Sequence, residues 1–170
     1  GTGSGALAIA LARALPGSSG LAVDASEQAL AIAALNRQRL LPVDRDPPLR
    51  LLQGHWWQPL QPWWGRLQLV VSNPPYIPSA VCKGLDPVVR DHEPWLALDG
   101  GLDGLEAIRT IVAGAPRALI PGGWLLLEHH HDQSDAVLDL LRCGGFVAVQ
   151  PHRDLQGVNR FVSACLEERP

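Results

Sequence analysis

The chain has 170 residues, 46% of them hydrophobic, which suits one globular domain with a sizeable core. A net charge of -3 gives no basic surplus, so direct binding to nucleic acid is not expected. Cys82, Cys143 and Cys165 lie too far apart for a disulfide framework or a zinc site, no apolar run reaches membrane-spanning length, and no signal peptide precedes the first motif, so a reducing cytoplasm is the expected setting.

The chain contains no methionine and opens directly on Gly1-Thr2-Gly3-Ser4-Gly5, so it reads as a fragment of something longer. Ala6 to Leu15 is rich in Ala and Leu and predicts a helix stopped by Pro16-Gly17. Gly20 to Asp24 is a short apolar run ending in an acid, the pattern of a buried parallel strand. Ser26 then caps a helix from Glu27 to Leu40, ended by Pro42. Leu49 to Gln53 and Leu67 to Ser72 read as strands, the latter stopped by Asn73-Pro74-Pro75. Ile77 to Gly104 reads as loop. Leu105 to Leu119 reads as helix despite Gly114 and Pro116. Gly123 to Glu128 reads as a strand, Gln133 to Arg142 as a helix, and Phe146 to Gln150 and Arg160 to Leu166 as closing strands. This alternation predicts an α/β, Rossmann-like domain: a mixed, mainly parallel sheet, helices on both faces and a hairpin at one edge.

Two motifs carry chemistry. Glycines at 1, 3 and 5 entering a helix let a ligand approach the backbone, where free amides meet negative charge. Asp24, at the end of the next strand, is placed to accept hydrogen bonds from ribose hydroxyls. With Ala6 the loop also satisfies the dinucleotide form G-x-G-x-x-A, so an NAD enzyme is formally allowed, and a plain glycine turn is the bland alternative.

The second motif is Asn73-Pro74-Pro75-Tyr76, at the carboxyl end of a strand, where open α/β sheets place ligands. Pro75 forces Pro74 into an extended conformation, and neither proline carries an N–H. The side-chain carbonyl of Asn73 and the Pro74 carbonyl become two fixed acceptors, which suit a planar NH2 group. An amide or aromatic amine nitrogen is a poor nucleophile because its lone pair is delocalised. Accepting both hydrogens helps it become tetrahedral as it attacks a methyl group, and the Tyr76 ring lies against the flat group and excludes water.

Together these residues resemble the peptide chain release factor N5-glutamine methyltransferases of the HemK/PrmC type. The resemblance runs nearly end to end, from Gly1-Thr2-Gly3-Ser4-Gly5 through Val71 to Ile77. It continues in Arg90-Asp91-His92-Glu93-Pro94 with Leu96-Ala97-Leu98-Asp99-Gly100-Gly101, in Leu127-Glu128-His129, and in Asp154-Leu155 with Arg160. It implies a class I S-adenosylmethionine-dependent methyltransferase fold, with residues 1–170 as its catalytic domain. It further implies that Gly1, Thr2, Gly3, Ser4, Gly5 and Asp24 hold the S-adenosyl-L-methionine cofactor, with Trp56 against it and Asn73 close by. Asn73, Pro74, Pro75 and Tyr76 would bind the substrate glutamine, with Asn73, Pro74 and Tyr76 promoting transfer. The family often has Asp where His55 stands here. Its amino-terminal helical domain and the first, central strand of its sheet precede the glycine loop and are expected to be missing from this sequence.

The substrate implied is the glutamine of the Gly-Gly-Gln motif in class I release factors, modified by a monomer that binds neither membrane nor nucleic acid directly. Methylation of an exocyclic base amine in DNA or RNA, or of a ribosomal-protein glutamine, would use the same two acceptors, and a catalytically dead binding module is a third possibility. No metal is expected. Three adjacent histidines, His129-His130-His131, alternate faces if the strand continues and cannot all converge on one ion. Trp57, Trp63 and Trp64 read as packing, and Asp91 and Glu93 as residues that order a loop.

Overall fold

Ser26 Oγ accepts the Ala29 amide at 3.2 Å, satisfying one free N–H at the start of helix α2 (Glu27–Leu40). Glu27 in its first turn and Arg37 and Arg39 in its last oppose the helix dipole. The helix belongs to the first of two compact units, residues 1–61, and residues 62–170 form the second. The computed structural model describes residues 1–44, 46–84 and 94–168. Arg90, Asp91, His92 and Glu93, to which the resemblance assigned part of its pattern, lie outside the described residues.

In the first unit, helix α1 (Ala6–Ala14) leaves Gly5, whose φ of 78° is left-handed. Strands β1 (Gly20–Asp24) and β2 (Leu49–Gln53) pair in parallel, with Asp24 opposite Gln53. A parallel pair needs a long crossover, and α2 is that crossover. Ile9, Ala12, Ala22, Leu41 and Leu49 form the core, with Ala8 and Leu51 packed against it. A Cβ on Gly5 would come within 3.1 Å of the Cβ of Ala33, which is fully buried. Glycine there serves both the turn and the close approach of the loop to α2.

The second unit is built on strands β3 (Leu67–Ser72), β4 (Leu119–Glu128), β5 (Phe146–Arg153) and β6 (Asn159–Leu166), in the spatial order β3-β4-β6-β5. β3 and β4 are parallel, and the other two pairings are antiparallel. The expected edge hairpin is β5–β6; in its turn the Asp154 carboxylate accepts the amides of Gln156 at 2.9 Å and Val158 at 3.0 Å. Leu125, Leu127, Val162 and Ala164 are buried on one face of this sheet. Helices α5 (Glu106–Ala118) and α6 (Ser134–Cys143) cover that face through Ile108, Ile111, Ala115, Val137 and Leu141. At about 25 cal/mol per Å2 of apolar surface, each fully buried Ile or Leu there contributes roughly 1.5–3 kcal/mol.

Local readings change at β4, at β5, which runs to Arg153 rather than Gln150, and in the segment read as loop. β4 begins four residues earlier than the sequence suggests, at Leu119, because a bulge absorbs Pro121-Gly122-Gly123: Leu67 faces Leu119, yet Leu69 faces Trp124. Among its described residues, the segment read as loop contains two single-turn helices, α3 (Ser79–Cys82) and α4 (Trp95–Leu98).

Candidate active site

In the first unit the glycine loop is tied to the end of β1. The Thr2 amide donates to Val23 O at 2.8 Å and the Gly3 amide to Asp24 Oδ2 at 2.8 Å. Asp24 Oδ1 accepts the Ser26 amide at 2.9 Å, and Asn36 Nδ2 donates to Ser4 O at 3.0 Å. Asp24 is buried, and each of its oxygens keeps a further lone pair for another donor. Gly3, at φ 56°, has open space where a Cβ would stand, so a ligand can approach its backbone directly. β2 closes on the same point, with the Gly54 amide donating to Asp24 O at 3.0 Å. Two residues on, Trp56 is exposed and holds a left-handed φ of 49°, a conformation unusual for a bulky side chain. The predicted residues Gly1 to Gly5 and Asp24 therefore form one cluster, with Trp56 just beyond the strand that ends on it.

In the second unit Asn73, Pro74 and Tyr76 line a cleft of about 280 Å3, together with Ile77, Ala97 and Leu98. Asn73 is exposed at the end of β3, Pro74 is buried, and Pro75 and Tyr76 are half-buried. Pro75 is the one member of the motif that does not line the cleft. The parallel register sets Ser72 beside Leu127, which brings Glu128 next to the motif. Tyr76 donates its hydroxyl to Glu128 Oε1 at 3.0 Å. Burial, the Glu128 charge and the hydrogen bond to it raise the Tyr76 phenol above its ordinary pKa, while Arg160 acts the other way. Tyr76 is therefore a neutral donor over the whole physiological range.

The backbone beyond Tyr76 is clamped by a second loop. Ile77 donates its amide to Leu98 O at 3.0 Å and accepts the Gly100 amide at 2.8 Å. Asp99 accepts the Ser79 hydroxyl at 2.6 Å, the Gly101 amide at 2.9 Å and Trp95 Nε1 at 2.9 Å, and these donors, Ser79 foremost, hold its carboxyl below the usual range. The resemblance had marked Leu96 to Gly101 without a role; its role here is to hold one wall of the cleft. Glu128 lies in the Leu127-Glu128-His129 stretch of the resemblance, which carries no role for it, and nothing in the spacing around Gln133 marks it as a site residue.

The histidines separate. His129 is fully buried, with Nδ1 donating to His130 O at 2.7 Å, whereas His130 pairs with Asp132 at 2.6 Å. Among the other tryptophans, Trp64 carries the Arg117 guanidinium 5.0 Å from its ring centroid, a packing contact.

Solved structures similar to the chain share its fold. A methyltransferase from Pyrococcus furiosus matches 99% of the chain and 73% of its own, at TM-score 0.67 and 17% identity. A ribosomal protein L11 methylase from Lactobacillus delbrueckii subsp. bulgaricus matches 99% and 68%, at TM-score 0.65 and 19% identity. The fold is thus the Rossmann-like α/β fold of S-adenosylmethionine-dependent methyltransferases. No family model matches the sequence. Sequence comparison is more specific: the release factor glutamine methyltransferase of Prochlorococcus marinus is 53% identical over 161 residues, covering 95% of the chain and 54% of the relative. That of Gloeobacter violaceus is 49% identical over 165 residues, covering 95% and 55%.

The chain is homologous to the release factor glutamine methyltransferases. It spans about half the length of these curated relatives. No described helix of this homologue is long and apolar enough to cross a membrane.

Proposed function

We propose that the protein containing this chain is an S-adenosyl-L-methionine-dependent methyltransferase. Its substrate would be the side-chain amide nitrogen, N5, of the glutamine in the Gly-Gly-Gln motif of class I peptide chain release factors. The observation that carries the reading is the cleft in which Asn73, Pro74 and Tyr76 stand together. The relatives' name, release factor glutamine methyltransferase, supports that substrate, and the net charge of -3 favours a protein over a nucleic acid. The same reading takes the protein to be a cytoplasmic monomer, with residues 1–170 as its catalytic domain.

The donor set of the first unit fits the cofactor. Gly1 to Gly5 offer a backbone free of side chains at Gly3, and Asp24 has remaining acceptor capacity for ribose hydroxyls. Trp56 is exposed for stacking. When bound, S-adenosylmethionine supplies an electrophilic methyl group on a sulfonium. The residues of the cleft prepare the nucleophile. Asn73 Oδ1 and Pro74 O accept the two amide hydrogens of the glutamine, and Tyr76, fixed by Glu128, holds the planar group. Gly1 to Gly5, Asp24 and Trp56 would hold the cofactor that supplies the methyl group, while Asn73, Pro74 and Tyr76 would keep the amide nitrogen oriented to receive it and would leave its surplus proton to pass to water.

Asn73 tests the two-acceptor arrangement. By analogy with an oxyanion-hole donor, Asn73→Ala should lower turnover by about 10²–10³. Cofactor affinity, measured by calorimetry, should change far less, and unchanged turnover would refute the arrangement.

A further inference from the structure

Gln133 stands at the N-terminus of α6, directly before Ser134, and is only 7% exposed. Both ends of its carboxamide are engaged. Oε1 accepts the His130 amide at 2.9 Å, and Nε2 donates to Tyr76 O at 2.9 Å and, at 3.4 Å, to Asp103 O. One side chain thus joins three pieces of backbone: the end of β4, the residue that closes the Asn73 motif, and the loop around Gly100 and Gly104. The room for it is narrow. A Cβ on Gly104 would stand 2.3 Å from Tyr76 O and 2.5 Å from Gln133 Nε2.

We propose that Gln133 is a positioning residue, a latch that sets where Tyr76, and with it the Pro74 carbonyl, stands in the cleft. The role rests on the methylation reading and deepens it. Pro75 has no N–H, so the motif cannot be anchored by a hydrogen bond of its own between Pro74 and Tyr76. The Tyr76 carbonyl and hydroxyl are its anchors, held by Gln133 and Glu128. Both anchors come from the neighbouring strand β4 or the residues just after it. Misplacing reacting groups by about 1 Å is enough to cost on the order of 10²-fold in rate.

The latch needs a donor facing Tyr76 O and an acceptor facing His130 N. Gln133→Glu keeps the acceptor and replaces the donor by a group that donates only when protonated. Gln133→Leu removes both. The titratable side chains on the surrounding elements, Glu128, His130, Asp132 and Asp103, are the same in all three proteins, so differences between pH profiles isolate the introduced carboxyl.

The test uses the full-length protein, a class I release factor and labelled S-adenosylmethionine, with turnover referred to folded protein. At about pH 8, Gln133→Glu should lose on the order of tenfold or more in kcat, with cofactor affinity within about twofold of wild type. As pH falls towards about 6, the ratio of variant to wild-type turnover should rise several-fold, because the carboxyl regains its proton and donates to Tyr76 O. Gln133→Leu should show the loss without the recovery. Relative to wild type at the same pH, amide exchange of the segment from Ile77 to Gly84 should be faster in both variants, and that difference should shrink at low pH only in Gln133→Glu. Wild-type kcat in Gln133→Glu at high pH, or a ratio independent of pH, would overturn the latch, as would unchanged exchange in both variants. Failure of the wild type to label the release factor, with exchange altered as expected, would condemn the methylation reading and leave the latch standing.

Discussion

Gly104→Ala tests how tightly the cleft is built. Gly104 holds φ at +75°, and its missing Cβ would point at Tyr76 O, 2.3 Å away, with Gln133 Nε2 at 2.5 Å. Forcing an L side chain into the left-handed region costs about 1–2 kcal/mol. The contact with a backbone oxygen cannot be relieved by rotating a side chain, so Tyr76 O or Gly104 must move, and the Gln133 bond is lost with it. A buried polar group left without its partner costs a further ~1–3 kcal/mol. The sum is a loss of about 2–5 kcal/mol, large for a single methyl group. Gly157 supplies the control: its φ is +80°, yet nothing stands within 4 Å of the position a Cβ would take. Gly157→Ala should therefore cost only the conformational part, about 1–2 kcal/mol. Urea unfolding of the full-length variants, compared at equal m-value, reads the difference. Equal losses at the two glycines would refute the claim that the space around Tyr76 is filled.

Asp24→Ala should weaken S-adenosylmethionine binding by about 1–3 kcal/mol, because the amides of Gly3 and Ser26 lose their acceptor along with the ribose hydroxyls. Calorimetry checks this, and tight binding of NAD by the wild type would overturn the cofactor assignment. Asp103 is held at about 2 by its hydrogen bond from Arg109, with help from the Leu105 amide. A carboxyl with a depressed folded pKa stabilises above its unfolded value of about 4 and loses that contribution as pH falls towards 2. Asp103→Asn should thus cost under about 1 kcal/mol at neutral pH, since the pair is half exposed. Its acid unfolding curve should merge with that of the wild type near pH 2, and a difference that widens in acid would contradict the assignment.

Much of this was legible along the chain. Ser26 and Pro42 bracket α2, and the apolar runs before Asp24 and Asn73 are strands with those residues at their carboxyl ends. Such signals are local: a cap, a breaker, a period. The contacts that shape the cleft are not. Gln133 and Tyr76 are 57 residues apart, and Glu128 and Tyr76 are 52 apart, joined only because β3 and β4 pair in register. Asp24 was legible as an acid near a glycine loop, but its bonds to the amides of Gly3 and Ser26 depend on how the loop turns back on β1. The bulge that carries Pro121-Gly122-Gly123 into β4 reads as a break locally, because only pairing with β3 keeps those residues in the strand.

The most direct test of the central claim is the position of the transferred methyl group. The full-length protein is incubated with labelled S-adenosylmethionine, a class I release factor and, in competition, an adenine-containing duplex, and the products are located by mass spectrometry. The account predicts one methyl group on the amide nitrogen of the glutamine in Gly-Gly-Gln, abolished by replacing that glutamine. Label on the duplex, or on the release factor at any other residue, would contradict it.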